Sequence, residues 1–475
     1  MTSLLHRLKT IPYLPVIVAL TALRLVAAAR AGLVPDEAYY WLWAQHPALG
    51  YYDHPPMVAW WIGTSTAMFG HSALAVRLPF LLSFLVLCGL IYDTARVLFG
   101  HAVAKRALLW ANACILLSVG SVVATPDPPS VLMWAGGLWA LARLITSGKG
   151  WWWLTFGLFA GLGVEAKYTN LFLGLGVIVW FLLEKRSWRW LATPWPYLGA
   201  VVALAAMAPN LLWNAGHGYI TLAKQFGRLE ASIFTIKYLI EFLISQPLLL
   251  NPLIFVFVFL STWAWAKTRT DSRLTLLVAL PLPLLIYMLI HVFHDRIQGN
   301  WPAPVFPGLV ILAAAGAEAS AGKWLIRLRN WAAPLGVTIS ALALGYLALG
   351  DAVKGPGAAG LSQGWDGTAA QIDTRRTQAG AAWIATTDYD TEGELSYHLK
   401  VSPVIAVTER ERYAWPTAEP SVAGRPALIV VAERHDPVLE ACFDNLADLG
   451  SVSRAGKPAF RVYSGQLKAI GCDVP

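Results

Sequence analysis

The run from Ile11 to Ala29 is apolar apart from Thr21 and Arg24. At 1.5 Å per residue it can cross roughly 30 Å of hydrocarbon. Ten further apolar runs follow, at 73–95, 107–124, 130–146, 152–166, 169–183, 195–212, 237–266, 274–293, 302–319 and 331–350. Hydrocarbon offers no water to satisfy backbone N–H and C=O groups, so a chain of this pattern must cross as helices, each closing its own hydrogen bonds. The sequence therefore predicts a polytopic α-helical membrane protein with about eleven spans. Only 13% of its 475 residues are charged, against about 25% in a soluble domain. Ala27-Ala28-Ala29-Arg30-Ala31 has the small-residue look of a signal-peptidase site. Arg24 and two prolines make a poor signal core, so an uncleaved anchor is expected.

Placing the N-terminus inside gives cytoplasmic loops that hold Arg96, Lys105 and Arg106; Arg143 and Lys149; Lys185, Arg186 and Arg189; Lys267, Arg269 and Arg273; and Lys323, Arg327 and Arg329. That asymmetry is the one the positive-inside rule asks for. It accounts for the net charge of +8 without a nucleic-acid partner. The loops left outside are 30–72, 125–129, the turn at Lys167, 213–236 and 294–301, and an odd number of spans leaves the C-terminus outside as well.

Composition changes after Gly350, and the glycine-rich stretch 355–360 reads as a linker. The expected domains are 1–350, in the membrane, and 351–475, soluble. Within the second, 381–385 and 427–432 read as buried strands, and Glu392 to Lys400 and Pro437 to Leu446 as helices. The alternation predicts a small α/β domain. Cys88 and Cys114 lie in apolar runs and are expected to be inert packing residues; Cys442 and Cys472 are either a disulfide or two thiols, and no CxxC pattern suggests a zinc site.

The first outer loop, from Val34 to Met57, concentrates Asp36, Glu37, Asp53 and His54 among Tyr39, Tyr40, Trp41, Tyr51 and Tyr52. Tyr and Trp favour the membrane–water interface. Each acid there reads either as an ordinary solvated carboxylate or as a group acting on a lipid head group. Asp127, between Pro126 and Pro128, reads as a functional acid, as the N-cap of the next helix, or as both. Lys167 can hold a phosphate as a point charge or merely snorkel. Arg296, in the last outer loop, is a further phosphate or sugar ligand, whereas Lys224 and Arg228 fit a surface amphipathic helix. Carboxylates, cations and aromatic faces on one side of a membrane are the parts that sugar transfer from a lipid phosphate needs: a base, a charge for the departing phosphate and a sugar platform. A lipid-linked sugar transporter would have to expose its polar groups to both sides in turn, and an assembly protein would have dispensable acids. P-loop, GxGxxG and GxSxG motifs are lacking at believable positions, which argues against ATP-driven transport and serine hydrolysis.

With Asp36-Glu37-Ala38-Tyr39-Tyr40-Trp41, Tyr51-Tyr52-Asp53-His54-Pro55-Pro56-Met57, Thr125-Pro126-Asp127, the Lys167 turn and the run from Gln298 to Pro304, the chain resembles the GT-C glycosyltransferases that use polyprenyl-phosphate sugars. The branch is that of the bacterial aminoarabinose (lipid A) and galacturonosyl transferases, within the dolichyl-phosphate-mannose-protein mannosyltransferase-like superfamily. The resemblance implies a transmembrane GT-C core whose first loop folds into interfacial helices. It implies Asp36 and Asp127 as catalytic residues, Asp36 as general base or acceptor-positioning group. Glu37, Tyr39, Tyr40, Tyr52, Asp53, His54, Lys167, Arg296 and Asn300 would bind substrate. Asp53 is also the candidate ligand of a divalent metal ion, and no organic cofactor is expected. Where that branch reads Glu-Lys-Pro, this chain has Asp53-His54-Pro55. A histidine is fully charged only below about pH 6.5, so Lys167 or Arg296 would share the phosphate. The implied reaction is an inverting transfer at the periplasmic face of a bacterial inner membrane, from an undecaprenyl- or decaprenyl-phosphate sugar to lipid A or another glycolipid or glycan. The C-terminal domain would lie in the periplasm.

Overall fold

A computed structural model describes residues 13–227, 234–352, 360, 362–399, 403–415, 419–422, 424–435, 437–469 and 472–474; Arg228 lies outside them. Among the described residues, four helices are long and apolar enough to cross a membrane: Ala73–Phe99, Asp127–Ser147, Ser272–His291 and Lys323–Ala348. The number rises to eight if each of four bent helix pairs counts as one span, and Ala303–Ala319 is a shorter apolar helix. Every apolar run read from the sequence holds helix, but the run 237–266 is not one straight span. Leu239–Leu250 and Pro252–Thr268 meet at 102°. The corner is Asn251, with φ of 99°, fully buried. Its amide donates to the Ala332 carbonyl at 2.7 Å and its oxygen accepts from the Leu253 N–H at 3.0 Å. Pro252 then opens the next helix at a position where its missing N–H costs nothing.

The chain forms two compact units: one of Met1–Val26, His54–Val58 and Leu78–Gly345, the other of Ala27–Asp53, Ala59–Arg77 and Tyr346–Pro475. The linear division expected at residue 350 thus differs from the packing, which groups most of the first loop with the C-terminal chain. In the first unit, close helix approach depends on small residues. A side chain at Gly161 would collide with the Ala203 carbonyl on Trp195–Ala206.

The second unit begins with two helices from the first loop, α1 (Pro35–Gln45) and α2 (Met57–Phe69, mostly in this unit). Its C-terminal part holds α3 (Trp365–Gln378), β1 (Trp383–Thr386), α4 (Tyr389–His398), β2 (Val404–Ala406), β3 (Pro426–Ala432), β4 (Phe443–Arg454) and β5 (Lys457–Leu467). The sheet order is β2-β1-β3-β5-β4, with β1 parallel to β2 and β3 and the remaining pairs antiparallel. Successive residues of β3 point to opposite faces, and both faces are buried: Ile429 and Val431 join a core with Trp383 and Phe443, whereas Leu428 and Val430 pack with Trp365, Ile372 and Leu395 of the helices. A strand covered on both sides reads as a continuous apolar run, which is why 427–432 was legible.

The helix expected over Pro437–Leu446 is instead a short turn, Leu439–Ala441, running into β4. Val438, Leu439, Cys442 and Leu446 have helical spacing. The deciding feature lies further on: Ala455 and Gly456 both have positive φ, 51° and 80°, the two-residue turn that closes a hairpin. Cys442 and Cys472 form a disulfide, and Cys88 and Cys114 are free and buried.

Candidate active site

The first unit brings together three sequence-predicted residues far apart in the chain. Asp127 is the first residue of its helix, and Pro126 rather than Asp127 occupies the cap position. Its side chain therefore does not cap the helix. One carboxylate oxygen accepts from Lys167 Nζ at 2.7 Å, the other from Asn300 Nδ2 at 2.7 Å. Lys167 does not snorkel: its side chain is 11% exposed and faces Asp127. It sits where Trp152–Ala166 ends, in an extended residue before the short turn Tyr168–Asn170. Asn170 fixes this break by donating to Ser130 Oγ at 2.6 Å on the Asp127 helix. A second support lies beneath: buried Glu165 accepts from the Asn210 N–H, and Tyr168 donates to the Asn210 side chain at 2.6 Å.

Asp127 and Asn300 line a cavity of about 230 Å³. Thr125 and Ser121 add hydroxyls, and Phe84, Leu87 and Leu117 give an apolar wall. A lysine balanced by one carboxylate beside such a cavity can exchange that carboxylate for an anionic group on an apolar ligand. Arg296 is not part of this cluster. Its side chain is 64% exposed and pairs with Glu241. Lys224 lies on the short helix Ile220–Phe226.

The second unit holds most of the first-loop motif. Pro35 opens α1, and Asp36 and Glu37 stand in its first turn, where the helix dipole favours carboxylates. At 100° of rotation per residue the two take different directions. Asp36 is exposed, whereas Glu37 is fully buried. Glu37 accepts from the Val34 N–H at 3.0 Å and pairs with Arg77. Arg77 also donates to the carbonyls of Ala28, Ala31 and Gly32. The sequence suggested Glu37 as a substrate ligand, but its enclosure makes it an anchor of the loop. Tyr39 and Tyr40 are buried too. Gly393 of α4 packs directly on the α1 backbone: a Cβ there would lie 2.8 Å from the Tyr39 nitrogen.

Asp53 accepts from the Tyr39 hydroxyl at 3.1 Å and from Arg412 Nη1 at 2.5 Å. Arg412 is gripped through two further bonds to Glu409, at 2.7 and 2.9 Å, and lies 4.6 Å over the Tyr389 ring and 5.4 Å over the Tyr52 ring. Tyr52 donates to Glu411 at 2.9 Å. Burial, then that hydrogen bond, pushes the Tyr52 phenol up to about 12. Burial, then the charge of Asp36, raises the Tyr389 phenol as well. Sequence reasoning missed Arg412. It is one arginine in a polar stretch 359 positions from Asp53, with no local signal. Among the described residues no three His, Cys, Asp or Glu side chains group as metal ligands. Asp53 faces a guanidinium rather than further carboxylates, a donor set that does not fit a divalent cation. His54 falls in the other unit and is half-buried.

Comparison with known proteins points one way. Residues 53–213 match the family described as dolichyl-phosphate-mannose-protein mannosyltransferase. The lipid A galacturonosyltransferase RgtD of Rhizobium johnstonii is 28% identical over 227 residues, 46% of this chain. The chain spans about half, 47%, of the length of that curated relative. ArnT from Cupriavidus metallidurans, solved bound to undecaprenyl phosphate, superposes with a TM-score of 0.68 at 16% identity, over 94% of this chain and 97% of that one. The oligosaccharyltransferase of Archaeoglobus fulgidus, tethered with an acceptor peptide, gives 0.56 at 10% identity, over 95% and 74%. At these identities the two structures speak for the fold. The resemblance read from the motifs between Asp36 and Pro304 is borne out by family match, relative and fold together, and the enzyme class it implied is that of the matching family and of the curated relative.

Proposed function

We propose, from the family match and the fold shared with ArnT, that this chain is an integral-membrane GT-C glycosyltransferase that moves a sugar from a polyprenyl phosphate to an acceptor at the periplasmic face of a bacterial inner membrane. An N-terminus inside would put the first loop on that face, an orientation that the asymmetry of Lys and Arg supports, and the C-terminal sheet would lie there with it, since Arg412 and Glu411 bond to Asp53 and Tyr52 of that loop. The acceptor is lipid A or another envelope glycolipid or glycan, in keeping with the relative's name.

The observation that carries the reading is the Lys167–Asp127–Asn300 cluster beside a largely apolar cavity. It suits the phosphate of a lipid-linked donor: Lys167 takes its charge and Asn300 can donate to an oxygen. Asp36, exposed in the first turn of α1, is the base. The acceptor hydroxyl gives its proton to the Asp36 carboxylate as its oxygen bonds to C1 of the sugar. The C1–oxygen bond to phosphate breaks on the opposite side, and polyprenyl phosphate leaves with the electron pair, so the anomeric centre inverts. The test is mass spectrometry of envelope lipids and glycans from cells expressing the wild-type protein or Asp36→Asn. A hexose, pentosamine or uronate increment present only with wild type is expected. Identical lipid and glycan profiles from two well-expressed proteins would refute the reading.

A further inference from the structure

The three parallel strands lie in the order β2-β1-β3, so the chain leaves β1 to one side and later returns to β3 on the other. In open α/β sheets ligands bind beyond the carboxyl ends of the strands, at the point where the connections diverge. A cavity of about 230 Å³ lies at that point here. Asp390 reaches it from the connection after β1, Glu433 and Arg434 from the end of β3, and Arg454 from the end of β4, over a floor of Trp365 and Phe460.

The lining specifies a ligand class. The Trp365 and Phe460 rings, 5.6 Å apart and buried, close the floor of the cavity and limit its depth. Asp390 and Glu433 can accept from sugar hydroxyls. Arg454 is held in place by stacking 4.9 Å over Trp365. Arg434 stands at the rim, its side chain 62% exposed, 2.9 Å from Asp390 and 3.8 Å from Asp388. An exposed pair of this kind is worth little, so an anion can claim the Arg434 guanidinium, whose planar fork matches phosphate and carboxylate. The volume is below the roughly 300 Å³ at which drug-sized pockets begin, which limits the occupant to about one ring. Pro35 also lines the cavity, and the next residue is the exposed Asp36.

We infer that this cavity holds the sugar headgroup of the acceptor, a single pyranose bearing an anionic substituent, and presents it beside Asp36. The assignment to an acceptor rests on the transferase reading above; the binding of an anionic sugar does not.

The full chain in detergent micelles is titrated calorimetrically with glucosamine 1-phosphate, glucosamine and inorganic phosphate. Wild type is expected to bind the sugar phosphate at least tenfold tighter than either fragment. Arg434→Gln, an exposed change that spares the fold, should erase the preference over glucosamine. Arg454→Gln should weaken both sugars. In transfer assays Arg434→Gln should raise the acceptor KM about tenfold without moving the donor KM. Equal affinity for the three probes, or a preference that survives both substitutions, overturns the site. Probe binding as expected, from a wild-type protein that yields no transfer product, overturns the acceptor assignment and leaves a site for free sugar phosphates.

Discussion

Replacing Arg412 by Ala tests how the C-terminal chain controls the first loop. The Arg412 and Asp53 side chains are 10% and 13% exposed, and their contact is 2.5 Å. Removing one member of a buried pair costs about 3–5 kcal/mol, because the other charge is left without compensation. Two features lower the figure. Asp53 keeps its bond from Tyr39, and the Glu409 side of the network is 47% exposed, where a pair is worth up to about 1 kcal/mol. The expected loss is therefore about 2–4 kcal/mol, or roughly 5–15 °C in the unfolding midpoint of a unit of this size. A double-mutant cycle with Asp53→Asn, read by thermal unfolding in detergent, isolates the pair. Because the two groups touch, their coupling should be about 1.5–3 kcal/mol. Arg412→Lys should recover only part of the loss, since an ammonium cannot bridge Asp53 and Glu409 as the guanidinium fork does. Additivity within about 0.5 kcal/mol would refute the claim that Arg412 holds Asp53.

Lys167→Met should lower kcat/KM for the lipid-linked donor by about 100-fold or more, the scale of losing one charge-stabilising group, with Lys167→Arg less affected; donor kinetics close to wild type in both would remove Lys167 from the reaction. Burial pushes the Glu392 carboxyl up to about 7, above its unfolded value. The native state therefore holds a proton that the unfolded chain releases, and this group's contribution to stability is fully present below about pH 4.5 and is lost as pH rises to about 7. Glu392→Gln should flatten that slope and stabilise the protein at pH 8 by on the order of 2–3 kcal/mol; an unchanged slope in unfolding curves across this range would show that Glu392 is not its source. Opening the Cys442–Cys472 bridge, 30 residues apart, with Cys442→Ala should cost roughly 3–4 kcal/mol, and denaturant midpoints equal to wild type would contradict this.

The parts of this structure legible in the sequence are those governed by one dominant force. Hydrocarbon length dictates the apolar runs, and double-sided burial makes β3 visible. Where two local signals compete, reading fails. At Asn251 a Pro follows an Asn inside an apolar run, and only the distant Ala332 carbonyl shows that the chain turns rather than continues. At 437–446 helical spacing competes with a hairpin whose turn lies ten residues on. β4 reveals little by itself because half of its residues are exposed and its ladder is irregular. Arg412, Asn170 and Asn210 were invisible for another reason: each acts through a tertiary contact that no local pattern encodes.

The first-loop motif shows why neighbouring residues of a recognisable signature need not share a role. Asp36 and Glu37 are adjacent and chemically alike, yet the rotation of about 100° between them exposes the first and seals the second against Arg77. Tyr39 is enclosed and directs its hydroxyl at Asp53. Most of the signature thus maintains the loop, and the chemistry falls to the few positions that are exposed. This separates two kinds of sensitivity. Changes at Glu37, Arg77 or Gly393 should lower folded protein and activity together, because each disturbs how α1 is held. Asp36→Asn should leave the unfolding curve in place while transfer is lost, since an exposed side chain of the same shape changes only its basicity. If Asp36→Asn instead lowered the unfolding midpoint as far as Glu37→Gln does, Asp36 would belong to the framework, and the base would have to be sought among the other exposed carboxylates.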